Sequence, residues 1–99
     1  MSVYVVGHIE ITDRKAYANY EAGFAEVFSL YEGEVLAVDD EPVLLEGEAA
    51  ATRCVIIRFP DRAAALAWYE SPEYQRLAAI RWNASSALIS LVKGREPRS

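Results

Sequence analysis

The amino-acid sequence predicts an α+β domain in which one antiparallel sheet carries its helices on a single face. Four segments are rich in β-branched or alternating apolar residues, which favours strands. Two longer segments space their apolar residues as a helix does, and an aspartate that can cap a helix precedes each. Their order, β-α-β-β-α-β, is typical of the ferredoxin-like arrangement, in which strands one and three lie centrally, side by side and antiparallel.

The first strand and the first helix are predicted from the N-terminal third of the chain. Val3–Ile11 is rich in β-branched residues, and Thr12-Asp13 then offer side-chain oxygens to the free N–H groups of a first helical turn. The apolar stripe of this helix comprises Tyr17, Tyr20, Phe24, Val27, Phe28 and Tyr31. We expect Gly33 to end the helix as a left-handed C-cap.

Two further strands are predicted between the helical regions. Glu34–Val38 is the second strand, and a turn-forming cluster at 39–42 ends it. Val43–Leu45 either extends this strand after a bend or forms a short strand of its own, and residues 46–51 form a loop. Arg53–Phe59 has a dense apolar centre that favours a central strand, and Pro60 closes it because proline cannot donate to a ladder.

The second helical region is predicted to break once. Asp61 caps an alanine-rich helix, and Ser71-Pro72 interrupts it because the residue before proline disfavours the α region. Pro72 is expected to open a short new helix that runs to about Ile80. Ser86–Val92 is the fourth strand. We therefore expect a single domain over residues 1–94 and a flexible C-terminal tail at 95–99.

Composition and motifs exclude several classes of protein. The net charge is −5, so a nucleic-acid partner is not expected. Cys54 is the lone cysteine, and no Cys/His cluster has metal-ligand spacing. No apolar run is long enough to cross a membrane, which predicts a cytoplasmic protein. No glycine-rich phosphate loop or dinucleotide fingerprint is present, so no cofactor is expected.

Strand alternation separates two faces of the predicted sheet. The wholly apolar sets of strands one and three are expected beneath the helices. The other face carries Tyr4, Val6, His8, Glu10, Cys54, Ile56 and Arg58. Because that face is half apolar, we expect a second copy of the chain to cover it in a symmetric homodimer that encloses a small cavity with polar groups.

The amino-acid sequences of several segments resemble those of a known bacterial family. They are Tyr4–Ile11, Asp13 with Tyr17 and Tyr20, Glu46-Gly47, Phe59-Pro60, Trp68–Tyr74, Arg81 and Leu91–Gly94. Through them the chain resembles the uncharacterised family called domain of unknown function 1330, which belongs with the dimeric α+β barrels. The resemblance implies this fold and a homodimer, and it implies no established reaction. Where the family commonly has an acidic residue before the strand-ending Phe, this chain has Arg58.

Polar residues of the second sheet face are the first candidates for chemistry. His8 is the only histidine, and it is either a general base in the inter-sheet cavity or a histidine satisfied by a neighbour at the dimer interface. Cys54 is either its nucleophilic partner or a small packing residue. Arg58, beside Tyr4, either binds a carboxylate ligand or forms a cross-subunit salt bridge with Glu10 or another acid.

Residues of the helical segments form a second set of candidates. The aromatic residues Tyr17, Tyr20, Trp68, Tyr69 and Tyr74 either line a cleft between helices and sheet or serve only as core. Glu46 and Arg81 either pair with each other or bracket a small polar ligand. Ser71, from the Ser-Pro-Glu-Tyr segment, joins these ligand-binding candidates.

Three functions remain open from the sequence. The first is a homodimer that binds a small organic molecule in a cleft beside the sheet. The second is a cofactor-independent enzyme, like similar barrel families of monooxygenases and isomerases, with His8 as the base and with Tyr20, Tyr74, Arg58 or Arg81 stabilising negative charge. The third is a structural dimer without a ligand.

Overall fold

The computed structural model describes residues 1–48 and 51–95, which form one four-stranded antiparallel sheet and three helices. The strands are β1 (Val3–Ile11), β2 (Glu34–Asp39), β3 (Arg53–Phe59) and β4 (Ser85–Lys93); the helices are α1 (Arg14–Phe28), α2 (Arg62–Tyr69) and α3 (Pro72–Ala84). The spatial order is β2-β3-β1-β4, so β1 and β3 lie at the centre as predicted. The predicted α+β class and the order of the elements are confirmed.

Strand β1 joins the two halves of the sheet, because it pairs antiparallel with both β3 and β4. His8 lies opposite Cys54 on one side and opposite Leu88 on the other. Strand β2 is an edge strand whose register with β3 shifts between Val35 and Ala37. Such a bulge bends an edge strand and increases its local twist.

The two faces of the sheet differ in burial as the alternation predicts. Val5, Ile57 and Phe59 point toward the helices and are buried, whereas their neighbours His8 and Arg58 are exposed. We call the side away from the helices the open face, and on β1 and β3 it carries Tyr4, Val6, His8, Glu10, Cys54, Ile56 and Arg58. The hydrophobic core therefore lies on one side of the sheet only.

Aromatic packing fixes α2 and α3 against the sheet. The ring of Trp68 lies 5.5 Å from that of Phe59, 5.7 Å from that of Phe28 and 4.3 Å from that of Tyr74, measured between centroids. Trp68 is 2% exposed, and aromatic side chains of this size bury about 150–250 Å² each. This one side chain therefore links β3, α1, α2 and α3.

Each helix begins at a capping side chain, and for α1 and α2 this is the aspartate that the sequence predicted. Asp13 accepts from the N–H of Ala16 at 3.0 Å, and Asp61 accepts from the N–H of Ala64 at 2.8 Å. Ser71 caps α3, and Pro72 occupies its first position. The helix continues to Ala84, beyond the expected end near Ile80, because no residue between them breaks it and Ser85 then turns extended.

Two local predictions are wrong. Helix α1 ends at Phe28 with Ser29 as its C-cap, and Gly33 has no positive φ. Val43–Leu45 forms no strand, because it leaves the sheet after Asp39 and finds no strand to pair with. Two other predictions cannot be compared, since part of the 46–51 loop and residues 96–99 of the tail lie outside the described residues.

Gly33 is needed for close packing and not for a turn. A Cβ atom at this position would overlap the ring of Phe28 and would lie 2.8 Å from Cε1 of the fully buried Phe59. We expect Gly33→Ala to lower the free energy of unfolding by about 1–3 kcal/mol, as overpacking does. Urea denaturation at one protein concentration measures this. Glu32→Ala, at the exposed neighbouring position, is the control and should change stability by less than about 0.5 kcal/mol. An unchanged urea midpoint for Gly33→Ala would contradict the packing argument.

Candidate functional site

A cavity of about 190 Å³ lies between the helices and the sheet face that they cover. Its sheet wall consists of small and branched apolar side chains: Val5, Ile9, Val55, Ile57 and Ile89. Its helix wall consists largely of aromatic residues: Tyr17, Tyr20, Phe24, Trp68 and Tyr74. The exposed members of the lining are Glu21, Val35 and Val38, so the cavity opens to the surface beside β2.

The inner part of this cavity carries three polar side chains. The hydroxyl oxygens of Tyr20 and Tyr74 lie 2.8 Å apart and form a buried hydrogen bond, and we call these two residues the phenol pair. The guanidinium carbon of Arg81 lies 5.9 Å from the centroid of the Tyr20 ring. Arg81 is only 4% exposed and also borders the cavity. The structure thus brings together three of the candidates that the sequence singled out.

Arg81 has no carboxylate partner among the described residues. The ion pairs formed within residues 1–48 and 51–95 involve Arg53 and Arg58 instead. The predicted pair with Glu46 is not formed, because Glu46 is exposed in the loop after β2 and does not border the cavity. A buried guanidinium therefore faces an apolar cavity without a counter-charge.

Burial determines the charge states of these groups. Loss of water raises the pKa of Tyr20 well above its ordinary value of 10.0, and the nearby Tyr74 raises this pKa further, so the Tyr20 phenol stays neutral. Burial acts to lower the pKa of Arg81, but the Tyr74 and Tyr20 hydroxyls more than offset it and the pKa is raised. Arg81 therefore remains a cation beside a neutral phenol.

Ser71 positions two walls of the cavity without bordering it. Its hydroxyl donates to the carbonyl of Trp68 at 2.8 Å and accepts from the N–H of Tyr74 at 3.1 Å. The end of α2 and the start of α3 are thus held together at the break. The indole Nε1 of Trp68 is buried and has no hydrogen-bond partner within the described part of the chain.

An ion cluster stands at the opening of the cavity. Arg53 donates from Nη1 to Glu21 at 2.7 Å and from Nε to Asp40 at 2.6 Å. Its guanidinium carbon lies 5.2 Å from the ring centroid of Tyr17. The hydrogen bond from Arg53 holds the pKa of Asp40 below its ordinary value. Sequence reasoning missed Arg53, although strand alternation puts it on the same face as Val55 and was the signal that could have found it.

His8, Cys54 and Arg58 lie on the open face, across the sheet from the cavity. Cys54 Sγ lies 3.5 Å from His8 Nδ1, so the register that places these two side chains together is confirmed. Arg58 lies opposite Tyr4, also as predicted, and within the protomer it forms an ion pair with Glu34 of β2. Within one protomer the sheet separates His8 and Arg58 from the phenol pair and Arg81.

Comparison with known proteins identifies the family. The matching family model is described as Domain of unknown function (DUF1330), and the match covers residues 2–95. The chain belongs to this family. The resemblance found in the sequence is thereby confirmed. A comparison with curated proteins gives no match.

Solved structures similar to this DUF1330 chain share its fold. A protein of unknown function from Rhodopseudomonas palustris is 18% identical with a TM-score of 0.80, over 97% of this chain and 84% of that one. A dimeric ferredoxin-like protein of unknown function from Jannaschia sp. CCS1 is 15% identical with a TM-score of 0.69, over 95% and 100%. SnoaB, a cofactor-independent oxygenase from Streptomyces nogalater, is 20% identical with a TM-score of 0.62, over 97% and 95%. At these identities the likeness establishes the ferredoxin-like fold alone.

The open face of this DUF1330 chain exposes large apolar side chains. Leu88 is 67% exposed, Val92 is 45% exposed and Ile56 is 36% exposed, and all three belong to paired strands of one sheet face. Residues 1–48 and 51–95 contain no group of acidic, histidine or cysteine residues that could hold a metal ion. The helices described are all too short or too polar to cross a membrane.

The phenol pair supplies a test of the cavity geometry. We expect Tyr20→Phe and Tyr74→Phe each to lower the free energy of unfolding by about 1–3 kcal/mol, because each leaves the other hydroxyl buried without its partner. The double variant should lose less than the sum of the single losses, by about 0.5 kcal/mol or more. Chemical denaturation of the four proteins measures this coupling. Tyr31→Phe, which removes a hydroxyl hydrogen-bonded to Glu73 elsewhere, is the matched control. Strict additivity would contradict a direct hydroxyl contact.

Proposed function

We propose that this protein binds a small organic molecule in the cavity between its helices and its sheet. One observation carries the proposal: a mostly apolar cavity contains a few convergent polar groups, the phenol pair and Arg81, at its inner part. Ligand sites commonly combine an apolar lining with a small number of placed polar groups. The volume of about 190 Å³ slightly exceeds a cavity of about 150 Å³ that is known to accept one benzene molecule.

Most of the predicted site residues have a place in this proposal. Tyr17, Tyr20, Tyr74 and Arg81 border the bound molecule, and Ser71 positions the walls around it. His8 and Arg58 belong instead to the dimer interface considered below. Glu46 has no assigned role, because it lies outside the cavity.

A cofactor-independent enzyme that uses the same cavity is the second candidate function. The fold shared with the oxygenase SnoaB supports it. Its chemistry would differ from the mechanism predicted with His8 as base, because His8 lies on the other side of the sheet. Arg81 and the neutral phenol of Tyr20 are suited to stabilising negative charge and not to removing a proton at neutral pH.

The proposal includes a homodimer formed through the open face. A sheet face that exposes Leu88, Ile56 and Val92 beside His8 and Arg58 is too apolar to remain in water, and an identical face on a second copy covers it symmetrically. The dimeric ferredoxin-like protein from Jannaschia supports this assembly. In such a dimer the two helix–sheet cavities lie on the outer sides of the paired sheets, and each is complete within one protomer.

Blocking the opening of the cavity tests the ligand-binding function. We expect native mass spectrometry of the protein as purified from cells to show a bound small molecule. Val38→Trp, at an exposed position on the cavity lining, should abolish that adduct, because the indole fills the opening. Val43→Trp, at a position that is 83% exposed and outside the lining, is the control and should keep it.

A screen extends the same test to ligands that are lost during purification. Ligand-detected NMR with a mixture of small aromatic and aliphatic compounds should give binders whose signals disappear with Val38→Trp and persist with Val43→Trp. If the wild-type protein carries no adduct and binds no compound of the mixture, the proposal is wrong. The third function considered from the sequence, a structural dimer without a ligand, then replaces it.

Sedimentation velocity tests the dimer separately. We expect a particle of twice 11.0 kDa at micromolar concentration for the wild-type protein. Leu88→Asp places a charge in the centre of the open face and should yield the 11.0 kDa monomer. Leu45→Asp, at a position that is 90% exposed and away from the sheet, should leave the dimer intact. A wild-type protein that sediments as a monomer would overturn the proposed assembly.

A further inference from the structure

The charge of Arg81 requires a partner that the described residues do not provide. A buried cation is costly unless it is paired, and arginine cannot relieve the cost by losing its proton. Glu21 is the carboxylate that borders the cavity, and Arg53 already binds it at 2.7 Å. Arg81 lies in the last turn of α3, where the helix dipole favours a cation, but no carboxylate of the described residues pairs with it. An anionic molecule that enters the cavity would supply that partner.

The other unsatisfied polar groups around the cavity are hydrogen-bond donors as well. In the phenol pair one hydroxyl donates to the other, so one O–H remains without an acceptor. The indole N–H of Trp68, whose side chain borders the cavity, is buried and also lacks an acceptor among residues 1–48 and 51–95. The guanidinium of Arg81 offers only donors, and the phenol pair adds one further O–H. These groups favour a ligand group that is rich in acceptors.

The charge and the planar shape of the Arg81 guanidinium limit which acceptor group of a ligand fits this site. A single guanidinium balances a single negative charge, and its planar fork matches the two oxygens of a carboxylate. A phosphate group carries more charge than this site compensates. The rest of the lining is apolar and aromatic, and the volume of about 190 Å³ accommodates roughly one six-membered ring beside the charged group.

We propose that the ligand is an organic monocarboxylate with a body of about one ring, and that Arg81 and the phenol pair bind its carboxylate while Phe24 and Trp68 contact its apolar body. This inference rests on the proposed function, and it specifies the chemical class of the molecule that the same cavity takes.

Benzoate and benzamide are a matched pair of probes, because they have the same size and shape and differ in charge. We expect isothermal titration calorimetry at neutral pH to show that the wild-type protein binds benzoate at least about tenfold more tightly than benzamide, as loss of a charge-assisted hydrogen bond predicts. Phenylphosphonate, with a larger charge on the same ring, should bind more weakly than benzoate. These comparisons need no variant.

Substitutions then locate the charge that discriminates between the probes. Arg81→Met should weaken benzoate binding by at least about tenfold and leave benzamide binding nearly unchanged. Arg81→Lys keeps the charge without the fork and should retain part of the preference for benzoate. Arg76→Met, on the exposed side of the same helix, is the control and should alter neither affinity. Circular dichroism checks that each variant is folded.

The outcomes separate this inference from the function on which it rests. If benzamide binds as well as benzoate, the cavity binds organic molecules but the proposed class of ligand is wrong. If phenylphosphonate binds most tightly, the carboxylate assignment is wrong. If Arg81→Met is folded and keeps the preference for benzoate, the assignment of Arg81 is wrong. If no probe binds and the protein carries no adduct, the proposed function itself fails.

Discussion

A guanidinium that is 4% exposed and has no carboxylate beside it among the described residues constrains everything else at this site. Removing a cation from water is costly, and among the described residues the compensation comes from the ring of Tyr20, the phenol pair and the C-terminal end of α3, in whose last turn Arg81 lies. A chain that needed only a stable core would gain by placing an apolar side chain at Arg81. This cost is consistent with the ligand-binding role proposed for Arg81.

The sheet divides the molecule into two regions with different roles. On the helix side, Trp68 links three helices to β3, and Ser71 ties the end of α2 to the start of α3, so the cavity walls are held by rigid elements. On the open face, the pair of His8 and Cys54 and the ion pair of Arg58 lie among exposed apolar side chains. A chemical role that combines groups from both regions is excluded within one protomer, because the sheet lies between them.

The arginine at the opening of the cavity and the arginine in its interior differ in their ion pairing. Arg53, at the opening, is mostly buried and pairs there with two carboxylates, Glu21 and Asp40, each of which is about half-exposed. The cluster combines one positive and two negative charges, whereas Arg81 has no carboxylate partner among the described residues. The contrast between the two arginines is consistent with the proposal that Arg81 binds an anionic ligand.

The sequence by itself determined the architecture. Strand alternation, capping by Asp13 and Asp61, and the break before Pro72 are local effects, and the structure follows them. The sequence also identified the members of the cavity as candidates and gave a cleft between helices and sheet as one alternative, but its enzyme hypothesis combined them with His8, which lies on the other side of the sheet. Only the tertiary structure decided which candidates meet, because the distance between residues 20, 74 and 81 is set by how α1 and α3 pack over the sheet. Likewise, the role of Gly33 depends on the side chain of Phe59, which is remote in sequence and close only after folding.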